Sequence, residues 1–332
     1  MNVLFPARYS SGFARGEGEK ILFEIGVAGE GGTTTSPLGR SDVKVFLEEM
    51  GILAGYEGEI ADHIFAGAGP GHSAPSLMAV VNATPDSFFP GSRIGSNLTR
   101  DVDLILDQRP DIIDVGGEST RPGSTRIAPE EEIRRIKPVV EYISESSSIP
   151  ISIDTRNPET AERMLAYRYA FLNDVSGFSD HGMTRIAVEH DLECVVMHMR
   201  GMPDTMQKDT EYVDVISEII EFFFRRVSEM VEAGVKPGRI ILDPGIGFGK
   251  NYDGNLKIIR NAHCFNLGFR TLFGTSRKSF LGTATGSIVD NRLGGTIATS
   301  VYLMKEGIDI LRVHDVSANR DALRVYSEII SH

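Results

Sequence analysis

Cysteine, long apolar runs and net positive charge are all scarce in this chain, and each shortage narrows what it can be. Only Cys194 and Cys264 are present, too few for a disulfide framework, so a reducing cytoplasm is the expected compartment. No run approaches the roughly 20 apolar residues that span a bilayer, so no membrane partner is expected. The first residues, MNVLFPARYSSGFARGEGEK, lack the apolar core of a signal peptide and are too rich in glycine for a clear transit helix. Forty-six acidic residues face 34 basic ones for a formal net charge of -12, which argues against a general nucleic-acid surface. An anionic ligand would therefore need a local cluster of positive groups. No Walker pattern, no G-x-G-x-x-G fingerprint and no internal repeat is visible.

A regular alternation is present instead. From about residue 76, apolar strand-like runs recur at SLMAVVNAT, DIIDVGG, IPISIDT, FLNDVSG, ECVVMHM, IILDPGI, RTLFGT and ILRVHD. Segments of helical period lie between them, such as EEEIRRIKPVVEYISES and VISEIIEFFFRRVSEMVEAG, where Phe222 to Phe224 read as packing of helix on barrel. Asn157-Pro158-Glu159 marks one helix start, and Ser317 is the expected cap of the last. Eight βα units predict an α/β fold of the (β/α)8 TIM-barrel class, with a doubly wound sheet as the alternative. The preceding stretch differs: residues 1–71 hold 14 of the 35 glycines and no βα unit. EKILFEIGVAG reads as a strand, GEGGTTTSPLG as a loop and SDVKVFLEEMGI as a helix capped by Ser41. The expected division is an N-terminal extension or small subdomain over 1–72 and a barrel over 73–332.

In such a barrel the chemistry sits at the C-terminal ends of the strands. Those ends carry Asn82, Thr84 and Asp86, then Asp114, Asp154, Asn173-Asp174, Met197-His198, Asp243, the run GTSRKS, and finally Arg312, His314 and Asp315. Asp154, Asn173 and Asp243 would suit a flat heterocycle with several N–H groups, such as a pterin or purine; taken singly, each could equally satisfy strand-end amides. Arg121, Arg312 and His314, with Asn82 and the Gly116-Gly117 turn, form a second set suited to a diphosphate. Arg312 and His314 are two apart on a strand and so share a face. On this grouping, loss of Arg312 weakens binding of the diphosphate and spares a phosphate-free pterin. In DVGGESTRPGS the glycine pair reads either as a tight turn or as an anion cradle. DPGIGFGK reads as a flexible loop with Phe248 available to cover an aromatic ring. His198 lacks partners at ligand spacing and reads as a hydrogen-bonded core residue rather than a metal ligand.

The motifs VVNATPDSFF, DIIDVGGESTRPGS, ISIDT, FLNDVSG, VVMHM, ILDPGIGFGK, GTSRKSFLG and LRVHDV resemble, in order, those of the dihydropteroate synthases, over about residues 76 to 329. The resemblance implies condensation of 6-hydroxymethyl-7,8-dihydropterin diphosphate with p-aminobenzoate, releasing diphosphate on the route to folate. It implies that Asp154, Asn173, Met197, Asp243 and Lys278 hold the pterin, and that Thr120, Arg121, Arg312 and His314 bind the diphosphate. Asn82 would coordinate Mg²⁺, while Phe88, Pro122, Phe248 and Ser279 would line the arylamine pocket. Lys278, Asp154, Arg312 and His314 would carry the catalysis, in a cytoplasmic homodimer. One departure concerns the first loop, where DSFFPGSRIG replaces the family's DSFSDGG and puts the identity of the arylamine in question. Remaining alternatives are a pterin-binding methyltransferase domain, a non-catalytic pterin-binding protein, and a synthase for another arylamine.

Overall fold

A computed structural model of the chain describes residues 2–6, 20–27, 33–39, 74–84, 97–120 and 123–331. Its first three strands, β1 (Asn2–Pro6), β2 (Lys20–Val27) and β3 (Thr33–Gly39), form an antiparallel sheet in the order β1-β2-β3. The expected strand in EKILFEIGVAG is β2. The stretch read as a loop, however, contains β3: three consecutive threonines have the β-branched shape that a pleated strand favours, and β2 supplies the partner, with Thr35 opposite Glu24. Pro37 is compatible with a strand here because β3 lies at the edge of the sheet. The expected helix after Ser41 lies outside the described residues.

Eight further strands close a barrel: β4 (Ser76–Asn82), β5 (Ile112–Gly116), β6 (Ile151–Asp154), β7 (Phe171–Asp174), β8 (Glu193–Met197), β9 (Ile240–Asp243), β10 (Arg270–Phe273) and β11 (Ile310–Val313). All eight neighbouring pairs are parallel, including the closing pair of β11 with β4, where Ile310 faces Ser76. Parallel pairing requires crossovers, supplied by α1 (Leu98–Leu106), α2 (Pro129–Ser146), α3 (Pro158–Met164), α4 (His181–Glu189), α5 (Val215–Glu232), α6 (Tyr252–Arg260) and α7 (Ser279–Thr285) with α8 (Leu293–Lys305), while α9 (Val316–Ser331) follows the last strand. The TIM barrel is thus observed. No helix among the described residues is long and apolar enough to cross a membrane.

Local chemistry explains the helices. Pro129 opens α2 where a missing N–H costs nothing, and Glu130, Glu131 and Glu132 follow in its positive first turn. Ile136, Val139, Val140 and Ile143 then fall on one buried face at helical spacing. In α5 the Asp214 carboxylate accepts from the N–H groups of Ile216 and Ser217, a standard cap. Asn157 and Pro158 open α3 as expected. Ser317 does not cap α9, because the helix already includes Val316 and the N–H of Asn319 reaches the carbonyl of Asp315.

Two apolar layers follow from the period of two along each strand. Met78, Ile112, Phe171, Val195, Ile241, Leu272 and Ile310 come from seven different strands and form one buried cluster that plugs the barrel. Residues of opposite parity, such as Ile113, Ile153, Leu172, Val196 and Leu242, belong to the larger cluster shared with the helices. Phe223 and Phe224 join that packing and the half-buried Phe222 packs against it, as expected. Each of these seven strands therefore places the residue two beyond its plug residue on the inward face, nearer the C-terminal mouth.

Candidate functional site

That parity builds the site. Two residues past Ile112 comes Asp114; past Phe171, Asn173; past Val195, Met197; past Ile241, Asp243; past Ile310, Arg312. Ser152 and Asp154 occupy the same face of β6. A strand whose inner face changes from apolar to polar in two residues ends its core contribution there and begins a pocket.

The polar groups are bound to one another across the barrel. Asp114 is fully buried and accepts from Ser152 Oγ at 2.5 Å, from Asn173 Nδ2 at 3.1 Å and from Arg312 Nε at 2.6 Å. Arg312 Nη2 reaches Asp154 Oδ2 at 2.8 Å. The two expected sets, one for a heterocycle and one for an anion, thus meet in the Arg312 guanidinium. Asp114 is the residue that sequence reasoning left out of the site, although its parity with Ile112 was available as a signal. Asp174, one residue past Asn173, faces the other way and serves its own turn by accepting from the N–H groups of Ser176 and Phe178.

Burial dominates the electrostatics. The Asp154 carboxyl is pushed up to about 8, first by burial and then by the charge of Asp114, against the pull of Arg312. Asp243 is also raised by burial, with Lys278 and the Gly245 N–H opposing. The Lys278 amine is pulled down to about 8 by burial; Asp243 opposes this and Arg312 adds to it. Lys278 Nζ donates to the carbonyl of Ile246 and stands 4.6 Å from the centre of the Phe248 ring, within the range of a cation–π contact.

The loop after β9 is not the flexible element expected from its glycines. Gly245, Gly247 and Gly249 have φ of 68°, 84° and 64°, the left-handed region that glycine enters without strain. A Cβ at Gly245 would lie 2.1 Å from the His198 carbonyl oxygen. The loop is also tied down: Gln207 Nε2 donates to the carbonyl of Gly247, Tyr212 Oη to that of Gly249, and Asn255 Oδ1 accepts from Gly247 N–H. The alternating glycines make a sharply turned, fixed wall. His198 is a hydrogen-bonded core residue as expected, buried against Lys250.

The glycine pair at the end of β5 has a packing role that sequence did not show. A Cβ at Gly117 would stand 2.7 Å from Ile136 Cγ2 and 3.0 Å from the Glu132 carbonyl oxygen, so α2 could not approach the turn with any other residue. Ser124 Oγ closes the following loop on the Ser119 carbonyl, and Thr120 is half-buried within it. At the last strand, His314 lies just beyond β11 with Nδ1 2.9 Å from Ser276 Oγ. Ser279 opens α7 immediately after Lys278. Asn82 ends β4, its side chain half-buried. Arg121, Pro122 and Phe88 lie outside the described residues. No group of three or more His, Cys, Asp or Glu that could hold a metal occurs among the described residues; a Mg²⁺ held largely by phosphate oxygens and waters needs only one or two protein oxygens, and the Asn82 amide is of that type.

Comparison with known proteins gives a consistent answer. The model of a family described as pterin binding enzyme matches residues 78–314. A dihydropteroate synthase of Clostridium beijerinckii is 39% identical over 259 residues, covering 76% of this chain and 94% of that protein. The structure of Yersinia pestis dihydropteroate synthase with a sulfonamide drug complex aligns with a TM-score of 0.75 at 31% identity, over 79% of this chain and 96% of that one. The Xanthomonas albilineans dihydropteroate synthase with 4-aminobenzoic acid aligns with a TM-score of 0.72 at 33% identity, over 79% and 95%.

Proposed function

This chain belongs to the dihydropteroate synthase family of pterin-binding enzymes, and we propose that it joins 6-hydroxymethyl-7,8-dihydropterin diphosphate to p-aminobenzoate, giving 7,8-dihydropteroate and diphosphate. The observation that carries this reading is the continuous array of Asp114, Asp154, Asn173 and Arg312 at the barrel mouth, with Lys278 and Phe248 paired beside it. Donors and acceptors of this density suit the edge of a pterin. The remaining cations suit its diphosphate.

In the proposed complex Asp154 and Asp243 accept from pterin N–H groups, and Asn173, whose Nδ2 is engaged by Asp114, offers its Oδ1. Met197 packs against the ring. Thr120, Arg121, Arg312 and His314 bind the diphosphate, and Arg312 spans the two halves of the substrate. Phe248, Pro122, Ser279 and Phe88 surround the arylamine, with Lys278 between it and the pterin. Asn82 would hold a Mg²⁺ ion, which when bound neutralises charge on the diphosphate. The bond from the exocyclic methylene to the diphosphate oxygen breaks, and its electron pair leaves with the diphosphate. Fixed positive groups stabilise that departing anion without reorganising. In its ionised form, reached above about pH 8 in the ligand-free barrel, Asp154 favours the positive charge left on the dihydropterin. The neutral arylamine nitrogen then bonds to the methylene carbon and releases its proton, so no covalent enzyme intermediate is required.

We propose further that the enzyme is a cytoplasmic homodimer and that residues 1–72 are an appendage to a barrel occupying 73–332. Release of diphosphate from the pterin substrate, measured with p-aminobenzoate and a panel of other arylamines, tests the central reading. Turnover with p-aminobenzoate is expected. Pterin binding without diphosphate release for any arylamine would show a non-catalytic binding protein, and turnover only with a different arylamine would reassign the second substrate.

A further inference from the structure

Lys250, the last residue of the GIGFGK stretch, is 3% exposed and has no part in the chemistry above. A buried lysine amine is costly unless its polar contacts are satisfied, and burial pulls this one well below its ordinary range. Here its Nζ has three partners: Nδ1 of His198 at 3.0 Å, the carbonyl of His198 at 3.1 Å and the carbonyl of Phe248 at 2.9 Å. His198 is itself 6% exposed and is braced by the Phe222 ring, edge-on at a centroid distance of 5.0 Å. The N–H of His198 in turn donates to the carbonyl of Asp243 at 2.9 Å.

These contacts join two loops that follow adjacent strands, β8 and β9. The clamp ends on the carbonyl of Phe248, the residue whose ring meets Lys278. The Asp243 side chain, by contrast, sits on β9 and is fixed locally by the Gly245 N–H at 2.8 Å. We infer that Lys250, through its bond to the Phe248 carbonyl and its anchorage on His198, is a positioning residue that sets the arylamine wall of the pocket. The half-buried Phe222, which packs against the core with its neighbours on α5, also serves as the brace of that anchor. The inference rests on the proposed role of Phe248.

The test compares Lys250→Met, which keeps the aliphatic stem and loses all three polar contacts, with Phe248→Ala, His198→Leu and His198→Asn in the full chain. The readouts are KM for p-aminobenzoate, affinity for the pterin diphosphate by calorimetry, and Tm. Loss of the clamp is expected to raise the arylamine KM about ten-fold, the equivalent of one to two lost hydrogen bonds, while changing pterin-diphosphate affinity less than about three-fold. His198→Leu is expected to shift KM in the same direction, and His198→Asn, which keeps a polar atom near the position of Nδ1, to recover most of the loss. A lowered Tm with an unchanged arylamine KM in Lys250→Met would mean a purely structural lysine and would overturn the inference, as would equal losses for both substrates. Should Lys250→Met not fold, an unchanged KM in His198→Leu overturns it in the same way. An unchanged KM in Phe248→Ala would instead remove the reading of the arylamine wall, and the inference with it.

Discussion

The Oδ2 atom of Asp114 and Nε of Arg312 lie 2.6 Å apart, joining residues 198 positions distant in sequence. The pair crosses between β5 and β11, on either side of β4 in the barrel order. It makes Arg312 a member of the carboxylate network as well as a cation for the diphosphate. Removing it leaves Asp114 and Asp154 buried without their shared partner. Arg312→Ala is therefore expected to weaken binding of phosphate-free pterin as well as of the diphosphate, by about ten-fold to a hundred-fold. Calorimetry with both ligands checks this, and selective loss of the diphosphate alone would restore the simpler division into two sets. Asp114→Asn is expected to act similarly, because an amide presents a donor where Arg312 and Asn173 both need an acceptor.

The pH dependence of stability follows from Asp154. Its carboxyl rises from its ordinary 3.8 to about 8, first through burial and then through Asp114. The folded state thus holds this proton more tightly than the unfolded chain. The contribution is complete below about pH 4, is lost progressively as pH rises, and is exhausted above the folded value. Asp154→Asn removes that dependence. The Tm advantage of wild type over Asp154→Asn is accordingly expected to shrink on going from about pH 5 to about pH 8, measured without ligand. A gap that widens over this range would refute the assignment.

Asp243→Asn separates the fold of the loop from recognition. The substituted amide retains an oxygen able to accept the Gly245 N–H, now at 2.8 Å, but it loses the charge that faces Lys278. A near-wild-type Tm with pterin affinity reduced about ten-fold or more is expected. Undiminished affinity would place the pterin elsewhere.

The first loop differs from the family pattern at Phe89 and Pro90. If Phe88 closes over the second substrate, Phe88→Ala raises the arylamine KM far more than it changes pterin-diphosphate affinity. Steady-state kinetics with p-aminobenzoate as the varied substrate decide this, and an unchanged KM would exclude Phe88 from the arylamine site.

The barrel's hydrogen-bonded ladder begins at Ser76 and closes on itself through β11. A chain beginning at Gly71 is expected to unfold cooperatively and to bind pterin with about wild-type affinity, since the eight-strand core is complete without the earlier residues. An insoluble or non-cooperative product would show that the N-terminal residues belong to the core.

From residue 76 on, the order of elements and the parity of their side chains were determined by the sequence alone, because both are local. An apolar run of four to seven residues specifies a strand, and a period of two assigns Asp154, Asn173, Asp243 and Arg312 to the same face as the plug below them. Turn and cap chemistry was legible where a proline opens a helix, as Pro158 does for α3, although the Asn157 side chain makes no cap bond there and reaches Glu132 instead. It failed at Thr33–Gly39, where pairing to β2 overrides the glycines and proline, and at Ser317, which α9 absorbs. Tertiary structure alone decided who partners whom. Closure of the barrel brings β11 beside β4 and within reach of β5 and β6, so that Arg312 bridges Asp114 and Asp154. It also sets the loops after β8 and β9 against each other, so that Lys250 finds all three partners and the glycines of GIGFGK mark a sharply turned wall. Such pairings depend on distances across the barrel, which no local propensity encodes.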